Sequence, residues 1–271
     1  MAESAPEHVQ ARGCRGYGAL VGHITVPYHL NEPIDPYPVS VPDGLAVKGP
    51  RPQGETWDAF VPLYTSIAQI VFGTENAVVW TGDCAVSLAV VAGLQRRGID
   101  PAVVWIDAHA DFNTPQTTVT GYLGGMPLAM LTQRGEVDLA MHIGMRAIPD
   151  DRVILAGPRD VDDAEQELLD ISKLHRMRLD ELAPQILPSG SVYLHVDLDI
   201  LDPKELPGMR FATPGGASLD ELAAAIESVT SSTRVVAVSF TFTLGEEQDP
   251  ERTKAVSDRL LDALRRGGYH P

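Results

Sequence analysis

The sequence predicts an α/β fold in which helices cover both faces of a parallel sheet. Apolar runs of strand length alternate with amphipathic runs of helix length, which is the pattern of such a fold. The strand-like runs are apolar at every position, as expected for strands that are buried on both faces. The chain has 271 residues, 44% of them hydrophobic, and no linker or repeat divides it. We therefore expect one domain over residues 1–271.

The elements follow in chain order from these runs. The sequence predicts strands at residues 77–81, 102–107, 139–143, 153–156, 191–196 and 234–240. It predicts helices at residues 85–97, 123–134, 163–169, 218–230 and 250–266. Gly98 is expected to end the first of these helices, and Ser218 to cap the fourth. The Pro-rich stretch 27–53 is expected to be a surface loop.

Charge and composition exclude several classes of partner. The formal net charge is −16, and nucleic acid or an anionic membrane requires a basic surface. The first residues lack the pattern of a signal peptide, and no apolar run is long enough to span a bilayer. The two cysteines, Cys14 and Cys84, cannot form a disulfide framework. We expect a cytoplasmic protein that acts on a small molecule.

Three segments place metal-ligand side chains directly after predicted strands. They are Asp-Ala-His-Ala-Asp-Phe-Asn at 107–113, Asp-Leu-Asp-Ile-Leu-Asp-Pro at 197–203, and Gly-Asp-Cys at 82–84. Ligands in parallel sheets bind beyond the carboxyl ends of the strands, so these segments should converge. Alternate residues of an extended segment share a side, which groups Asp107, His109 and Asp111, and likewise Asp197 and Asp199.

Such a group of carboxylates favours bound cations. A lone Asp-x-Asp is usually a turn or a helix cap, and a lone histidine such as His109 is usually structural. Three clusters at three strand ends are different, because uncompensated carboxylates would repel and raise their own pKa values. Carboxylates with one imidazole suit Mn²⁺. A metal pair can activate water near neutral pH, which predicts a hydrolase.

These segments resemble those of the ureohydrolase family, which includes arginases and agmatinases. The family carries Asp-x-His-x-Asp, Asp-x-Asp-x-x-Asp-Pro and Gly-Asp-His segments, and the matches span roughly residues 77 to 250. The resemblance implies a three-layer αβα sandwich with a mostly parallel sheet, two Mn²⁺ ions and hydrolysis of a guanidino group. It implies that Asp107 and Asp197 bridge both ions. His109 and Asp199 would complete one ion, and Asp111 the other.

The resemblance also implies a set of substrate contacts. Neutral donors on Asn113, Thr118 and Thr120 would hold an α-carboxylate, while Asp162 and Glu165 would face the α-ammonium. Glu247 would pair with the guanidinium, with Glu246 as the neighbour that could take its place. Thr213 would line the guanidinium end. Asp111 would also orient the attacking water and protonate the leaving amine.

The sequence departs from the family at two positions. Cys84 stands where arginases have a metal-binding histidine, so that it is either a thiolate ligand or a small buried residue that leaves the ion short of a ligand. Soft thiolate suits Mn²⁺ poorly, and we expect this side of the site to bind Mn²⁺ weakly. Gly124 stands where arginases have a proton-transfer histidine. Both departures favour a substrate whose hydrolysis needs less assistance from the metal ions and from proton transfer.

An Nω-hydroxylated guanidine is such a substrate, because its hydroxyl withdraws electrons. The cysteine is typical of a branch of the family that hydrolyses Nω-hydroxy-L-arginine to hydroxyurea and L-ornithine in D-cycloserine biosynthesis. Alternatives are an arginase, another guanidino-acid hydrolase, a catalytically silent binding protein, or a purely structural metal domain. Family members often form homo-oligomers, but the sequence does not indicate a contact surface.

Overall fold

The computed structural model describes residues 22–39, 44–47, 49, 51–54, 56–245 and 248–271. Its main sheet has eight strands in the order β4-β1-β5-β10-β9-β6-β7-β8, and every neighbouring pair is parallel. A small antiparallel hairpin joins β2 and β3. The strands are β1 (His23–Val26), β2 (Tyr28–His29), β3 (Glu32–Pro33), β4 (Leu45–Ala46), β5 (Ala77–Thr81), β6 (Ala102–Ile106), β7 (Val153–Ala156), β8 (His175–Met177), β9 (Ser191–Asp197) and β10 (Arg234–Thr241).

Helices cover both faces of the sheet, as the sequence predicts. They are α1 (Trp57–Gly73), α2 (Val86–Arg96), α3 (Pro127–Leu131), α4 (Asp138–His142), α5 (Asp163–Asp170), α6 (Leu219–Ser232) and α7 (Pro250–Arg266). The predicted cap of α6 is confirmed, since the Ser218 hydroxyl accepts from the Glu221 amide and the Glu221 carboxylate accepts from the Ser218 amide. The sandwich therefore has three layers around a parallel sheet.

The central strands divide the interior into two apolar cores. β5, β6 and most of β9 and β10 are buried along their whole length. Alternate residues face opposite cores: Val103 and Trp105 pack with α1 and α2, while Val104 and Ile106 pack with α6 and α7. Burial on both faces explains why these strands are apolar at consecutive positions.

α2, which follows the Cys84 turn, is buried at every residue except Arg96. It is apolar on nearly all sides, as expected of a helix enclosed by protein. At Gly93 a Cβ atom would lie 2.7 Å from the carbonyl oxygen of Ala68 in α1. Glycine is therefore required where the two helices touch, and this contact sets the position of α2 against the sheet.

The structure corrects several element predictions. The run 139–143 is not a strand: it lies in and just after α4, because Leu139, Ala140 and Ile143 are buried at helical spacing while Met141 is 60% exposed. The predicted helix 123–134 forms only a 3-10 turn at Leu123–Gly125 and the short α3. The stretch 27–53 is not simply a loop, since β2, β3 and β4 lie in it. α1, β1 and β8 lie outside all the predicted elements.

The same structure bears on membrane association. Among the residues that it describes, no helix combines the length and apolarity that a bilayer crossing requires. Cys14 and the first 21 residues lie outside the described ranges.

Candidate metal centre

Three central strands carry the predicted ligands to one edge of the sheet. Asp107 directly follows β6, Asp197 is the last residue of β9, and Cys84 lies in the turn between β5 and α2. β6 and β9 are neighbours, and β10 separates β9 from β5. Because all strands are parallel, their carboxyl ends share this edge, and the side chains meet there.

The first ligand group joins Asp107, His109 and Asp199. His109 Nδ1 lies 2.9 Å from Asp199 Oδ2 and 3.6 Å from Asp107 Oδ1. Backbone amides hold both carboxylates in place: His109 N donates to Asp107 Oδ1 over 2.8 Å, and Ala108 N donates to Asp199 Oδ1 over 3.2 Å. The indole of Trp105 donates to the other oxygen of Asp107 over 3.0 Å. These donors point the carboxylates at the imidazole.

The second group lies around Cys84. Its thiol donates to Asp197 Oδ2 over 2.9 Å, while Asp197 Oδ1 accepts from the amide of Asp199 over 3.0 Å. Cys84 Sγ, a carboxylate oxygen of Asp107 and a ring nitrogen of His195 all lie within 4.8 Å of one another. Asp107 thus belongs to both groups, and Asp197 contacts Cys84 on one side and Asp199 on the other.

Asp111 is held in an uncommon backbone conformation beside these groups. Its φ is +50°, a left-handed conformation that aspartate tolerates better than most residues. Its carbonyl oxygen accepts from the amides of Leu128 and Ala129 at the start of α3 over 2.9 and 3.2 Å. The buried Oδ2 atom has no hydrogen-bond partner within the described part of the chain, as expected of a carboxylate oxygen that binds a cation.

Asp83 and Gly82 fix the turn that carries Cys84. The buried Asp83 carboxylate accepts from the amides of Leu30 and Ala85 over 2.9 and 3.0 Å, and from the Tyr64 hydroxyl over 3.3 Å. A Cβ atom at Gly82 would lie 2.4 Å from the carbonyl oxygen of Tyr28. Asp83 is thus a structural anchor that ties the β2–β3 hairpin to the start of α2.

Burial and mutual repulsion perturb the acidic groups strongly. Burial and the charge of Asp199 raise the pKa of Asp107 to about 6. Burial also raises the pKa values of Asp111 and Asp197 well above the ordinary range, and neighbouring carboxylates add to the effect. Burial alone would lower the pKa of His109, but Asp107 and Asp199 outweigh it and raise that pKa to about 12. The site holds more negative charge than its buried position tolerates.

The donor set fits a pair of divalent cations. Two groups of ligand-type atoms share Asp107, an unpartnered Asp111 oxygen lies beside them, and cations would relieve the repulsion that raises the pKa values. Carboxylates and one imidazole dominate the His109 side, which suits Mn²⁺. The Cys84 side adds a sulfur atom to the set of donors.

A cavity of about 390 Å³ opens beside this centre. It is lined by Cys84, His109, Asp111, Asn113, Thr118, Thr120, Tyr122, Gly124, Gly125, Asp160, Asp162, Glu165, Asp197, Asp199, Arg210, Phe211 and Thr243. A larger cavity of about 550 Å³ lies between α6 and the 3-10 turn Leu179–Glu181, but none of the described residues that line it is His or Cys. The smaller cavity is therefore the candidate site.

Five of the expected substrate contacts lie on the wall of this cavity. Asn113 Nδ2 is 3.4 Å from Asp162 Oδ2. The side chain expected to bind the α-carboxylate is therefore next to one expected to bind the α-ammonium. Glu165 is buried, and its Oε1 accepts from the amide of Phe112 over 2.7 Å. Burial raises the pKa of Glu165 to about 7. Thr118 and Thr120 complete the wall.

The remaining substrate predictions have different outcomes. Thr213 is not among the described residues that line the cavity, although its hydroxyl lies 3.4 Å from Asp160, which does line it. Glu246 and Glu247 lie outside the described residues. Their expected roles stay predictions.

The ring of Tyr122 occupies the space beside Gly124. A Cβ atom at Gly124 would lie 2.4 Å from the Tyr122 ring. The Tyr122 hydroxyl is 2.8 Å from His29 Nε2 on the hairpin, which holds the ring in this position. A histidine at position 124 therefore cannot be accommodated without moving Tyr122.

Comparison with known proteins places the chain in a family. The model of the family described as "Arginase family" matches residues 23–257. The chain belongs to the arginase family. It is therefore an arginase-family hydrolase, and the family depends on a binuclear metal centre.

Individual relatives of the arginase family agree with this assignment. The chain is 30% identical to the N(omega)-hydroxy-L-arginine amidinohydrolase of Streptomyces lavendulae over 76% of this chain and 74% of that protein. It is 29% identical to an arginase of Staphylococcus aureus over 66% of this chain and 64% of that protein. The structure of an arginase from Bacillus caldovelox superimposes with a TM-score of 0.75 at 23% identity, covering 89% of this chain and 96% of that chain. The last comparison shows the arginase fold alone.

Several residues of this arginase-family site lie outside the predicted set. Tyr122, Asp160 and Arg210 line the cavity, and their positions depend on loops whose sequence carries no distinct signal. His195 is different, because it lies two residues before Asp197 in a strand. That spacing puts both side chains on one face, so the sequence did hold a signal for it.

Proposed function

We propose that this chain hydrolyses Nω-hydroxy-L-arginine to hydroxyurea and L-ornithine with two Mn²⁺ ions as cofactor, as part of D-cycloserine biosynthesis. The observation that carries the choice of substrate is the Tyr122 ring, which fills the space that a proton-transfer histidine at position 124 would need. The named activity of the S. lavendulae relative supports the same choice.

The described side chains suit the two ions. Asp107 and Asp197 would be shared, His109 and Asp199 would hold one ion, and Asp111 and Cys84 the other. Bound Mn²⁺ supplies one piece of chemistry, which is a water of lowered pKa at neutral pH. The reaction adds water to the guanidino carbon and breaks the bond between this carbon and the side-chain nitrogen of ornithine.

The cavity wall supports an α-amino acid as substrate. Asn113, Thr118 and Thr120 are neutral donors that would bind the α-carboxylate. Asp162 and Glu165 would bind the α-ammonium. The positive charge of this ammonium would keep Glu165 ionised, although burial raises the pKa of Glu165 to about 7. Glu247 remains the predicted partner of the guanidino group.

Asp111 is the proposed proton carrier of the reaction. Its side chain lines the cavity beside the expected position of the guanidino group. It would orient the attacking water and give a proton to the ornithine nitrogen as that bond breaks. The N-hydroxyl group of the substrate withdraws electrons and makes the guanidino carbon more reactive, which compensates for the missing histidine. Loss of a general acid–base group otherwise costs about two to four orders of magnitude in rate.

A substrate panel tests this proposal. The purified protein with added Mn²⁺ is assayed against Nω-hydroxy-L-arginine, L-arginine and agmatine, with hydroxyurea and urea quantified separately. We expect hydroxyurea from the first substrate at a rate at least about a hundredfold above urea from the second. Equal or faster release of urea from L-arginine would make the protein an arginase. Absence of all products above a metal-free control would make it a silent binding protein.

Replacing Cys84 by histidine tests the role of the thiol. Cys84→His adds an imidazole where arginases have one, so we expect tighter Mn²⁺ binding on that side and increased hydrolysis of L-arginine. Mn²⁺ titration calorimetry and the same product assays measure both effects. Two equally tight Mn²⁺ sites in the unaltered protein, with no change in the variant, would contradict the idea that Cys84 weakens Mn²⁺ binding.

A further inference from the structure

His195 lies beneath the metal centre on the face of β9 that points towards it. Tyr193, His195 and Asp197 alternate along the strand and therefore share this face. The His195 side chain is fully buried, with 0% exposure. Its ring stacks on the indole of Trp105 in the neighbouring strand, with ring centroids 3.6 Å apart. Both aromatic rings are thus packed directly below Asp107 and Asp197.

The two ring nitrogens of His195 have different surroundings. Nδ1 lies 2.8 Å from the hydroxyl of Ser239, and that hydroxyl lies 2.6 Å from the hydroxyl of Tyr193. Nε2 is buried and meets no hydrogen-bond partner among the residues that the structure describes. We assign the proton to Nδ1, which donates to Ser239 and leaves a lone pair on Nε2, because a buried N–H without an acceptor would be costlier.

This arrangement is the one that metal-binding histidines adopt. Such a histidine uses one nitrogen as ligand, while the other donates to an oxygen that fixes the tautomer and the ring orientation. Since Nδ1 is engaged by Ser239, Nε2 is the nitrogen free to face Cys84 and Asp107. A ring nitrogen of His195, the sulfur of Cys84 and a carboxylate oxygen of Asp107 lie within 4.8 Å of one another, close enough for one ion to contact all three residues after a small adjustment.

We infer that His195 Nε2 is a ligand of the cation on the Cys84 side, together with Cys84 and Asp107. The inference rests on the metal centre of the proposed function and goes beyond it. Cys84 stands where the family has an imidazole ligand, and His195 returns an imidazole to the same ion from the adjacent part of the sheet. Sulfur and nitrogen ligands favour borderline cations such as Co²⁺ or Zn²⁺. This side therefore binds Co²⁺ or Zn²⁺ more tightly than Mn²⁺, whereas the His109 side is dominated by carboxylates.

Metal binding without any turnover tests the inference. The metal-free protein is titrated with Co²⁺ and, separately, with Mn²⁺, and X-ray absorption of the loaded protein counts sulfur and nitrogen neighbours. We expect a sulfur-to-Co²⁺ charge-transfer band, and at that site an affinity for Co²⁺ at least about tenfold above that for Mn²⁺. His195→Gln should keep the sulfur, lose one nitrogen neighbour and weaken Co²⁺ at this site by about 10–100-fold or more.

Two further variants complete the design. His142→Gln removes an exposed imidazole at the end of α4 and should leave both affinities unchanged. Ser239→Ala removes only the oxygen at Nδ1 and should weaken Co²⁺ at the Cys84 side by about 10–100-fold. Ser239→Ala also tests whether His195 is a ligand if His195→Gln fails to fold. Wild-type affinity and an unchanged nitrogen count in whichever of the two buried variants folds would overturn the inference.

The outcomes separate this inference from the proposed function. A nitrogen that depends on His195, found in a protein that hydrolyses none of the three guanidino compounds, would support the ligand and refute the function. Hydroxyurea release from a protein whose ions show no such nitrogen would support the function and refute the ligand.

Discussion

Replacing Asp83 by alanine should unfold the protein at markedly lower urea without touching a metal ligand. The Asp83 carboxylate accepts from the amides of Leu30 and Ala85, and both bonds are buried or partly buried. Each amide left without an acceptor costs about 1–3 kcal/mol, so Asp83→Ala should lose about 2–6 kcal/mol in free energy of unfolding. Asp83→Asn keeps one acceptor oxygen and should lose about half of that.

The measurement is the free energy of unfolding in urea of the metal-free protein, with a chelator in the buffer and circular dichroism as the signal. Asp151→Ala is the matched control, because that side chain is exposed and its loss should change the free energy by less than about 0.5 kcal/mol. The anchor also positions Cys84, so metal affinity on that side should fall in Asp83→Ala. A free energy of unfolding within about 1 kcal/mol of the unaltered protein would refute the assignment of Asp83 as the anchor of the turn.

Three other variants probe the site and its supports. Asp197→Asn should abolish turnover and lower metal content while raising the stability of the metal-free protein, because it removes a buried carboxylate that Asp199 and Asp107 repel; a variant that retains turnover contradicts this. Gly124→His should lose about 1–3 kcal/mol in urea unfolding by overpacking against Tyr122, and adding Tyr122→Ala should restore most of it; an unaltered midpoint in the single variant contradicts the packing. Hydrogen bonds from Arg134 at 2.6 and 2.7 Å lower the pKa of Asp150. Their coupling, about 0.2–1 kcal/mol by a double-mutant cycle at pH 7, should therefore vanish as the pH falls below 3.8, the ordinary pKa of aspartate; coupling that persists at low pH would argue against the ion pair.

Much of the sandwich could be predicted from the strands, because burial on both faces leaves consecutive apolar residues in the sequence. β5, β6, β7, β9 and β10 lie where the apolar runs predict them. The same cue fails at 139–143, since a run of five apolar or neutral residues suits a short buried helix as well as a strand. α1 is absent from the prediction although its buried residues follow helical spacing; Pro62 lies within it, where proline is normally unfavourable.

The ligand segments were predictable because carboxylates at strand ends are rarely placed there by packing alone. The Tyr122 ring over Gly124 was not, since it depends on a hydrogen bond to His29, a residue far away in the chain. The orientation of the His195 ring likewise depends on Ser239 in a neighbouring strand. Contacts of this kind come from tertiary structure, and single-residue spacing does not encode them.

The position of Trp105 gives the protein an internal optical reporter. Its indole both donates to Asp107 and stacks on His195, so loading of the centre changes the polarity and the paramagnetism around this one fluorophore. Trp80 lies on the opposite face of the sheet against Phe240 and Trp57 lies in α1, and neither indole donates to a predicted metal ligand. Emission quenching can therefore follow the filling of the site in real time, without a label and without a substrate.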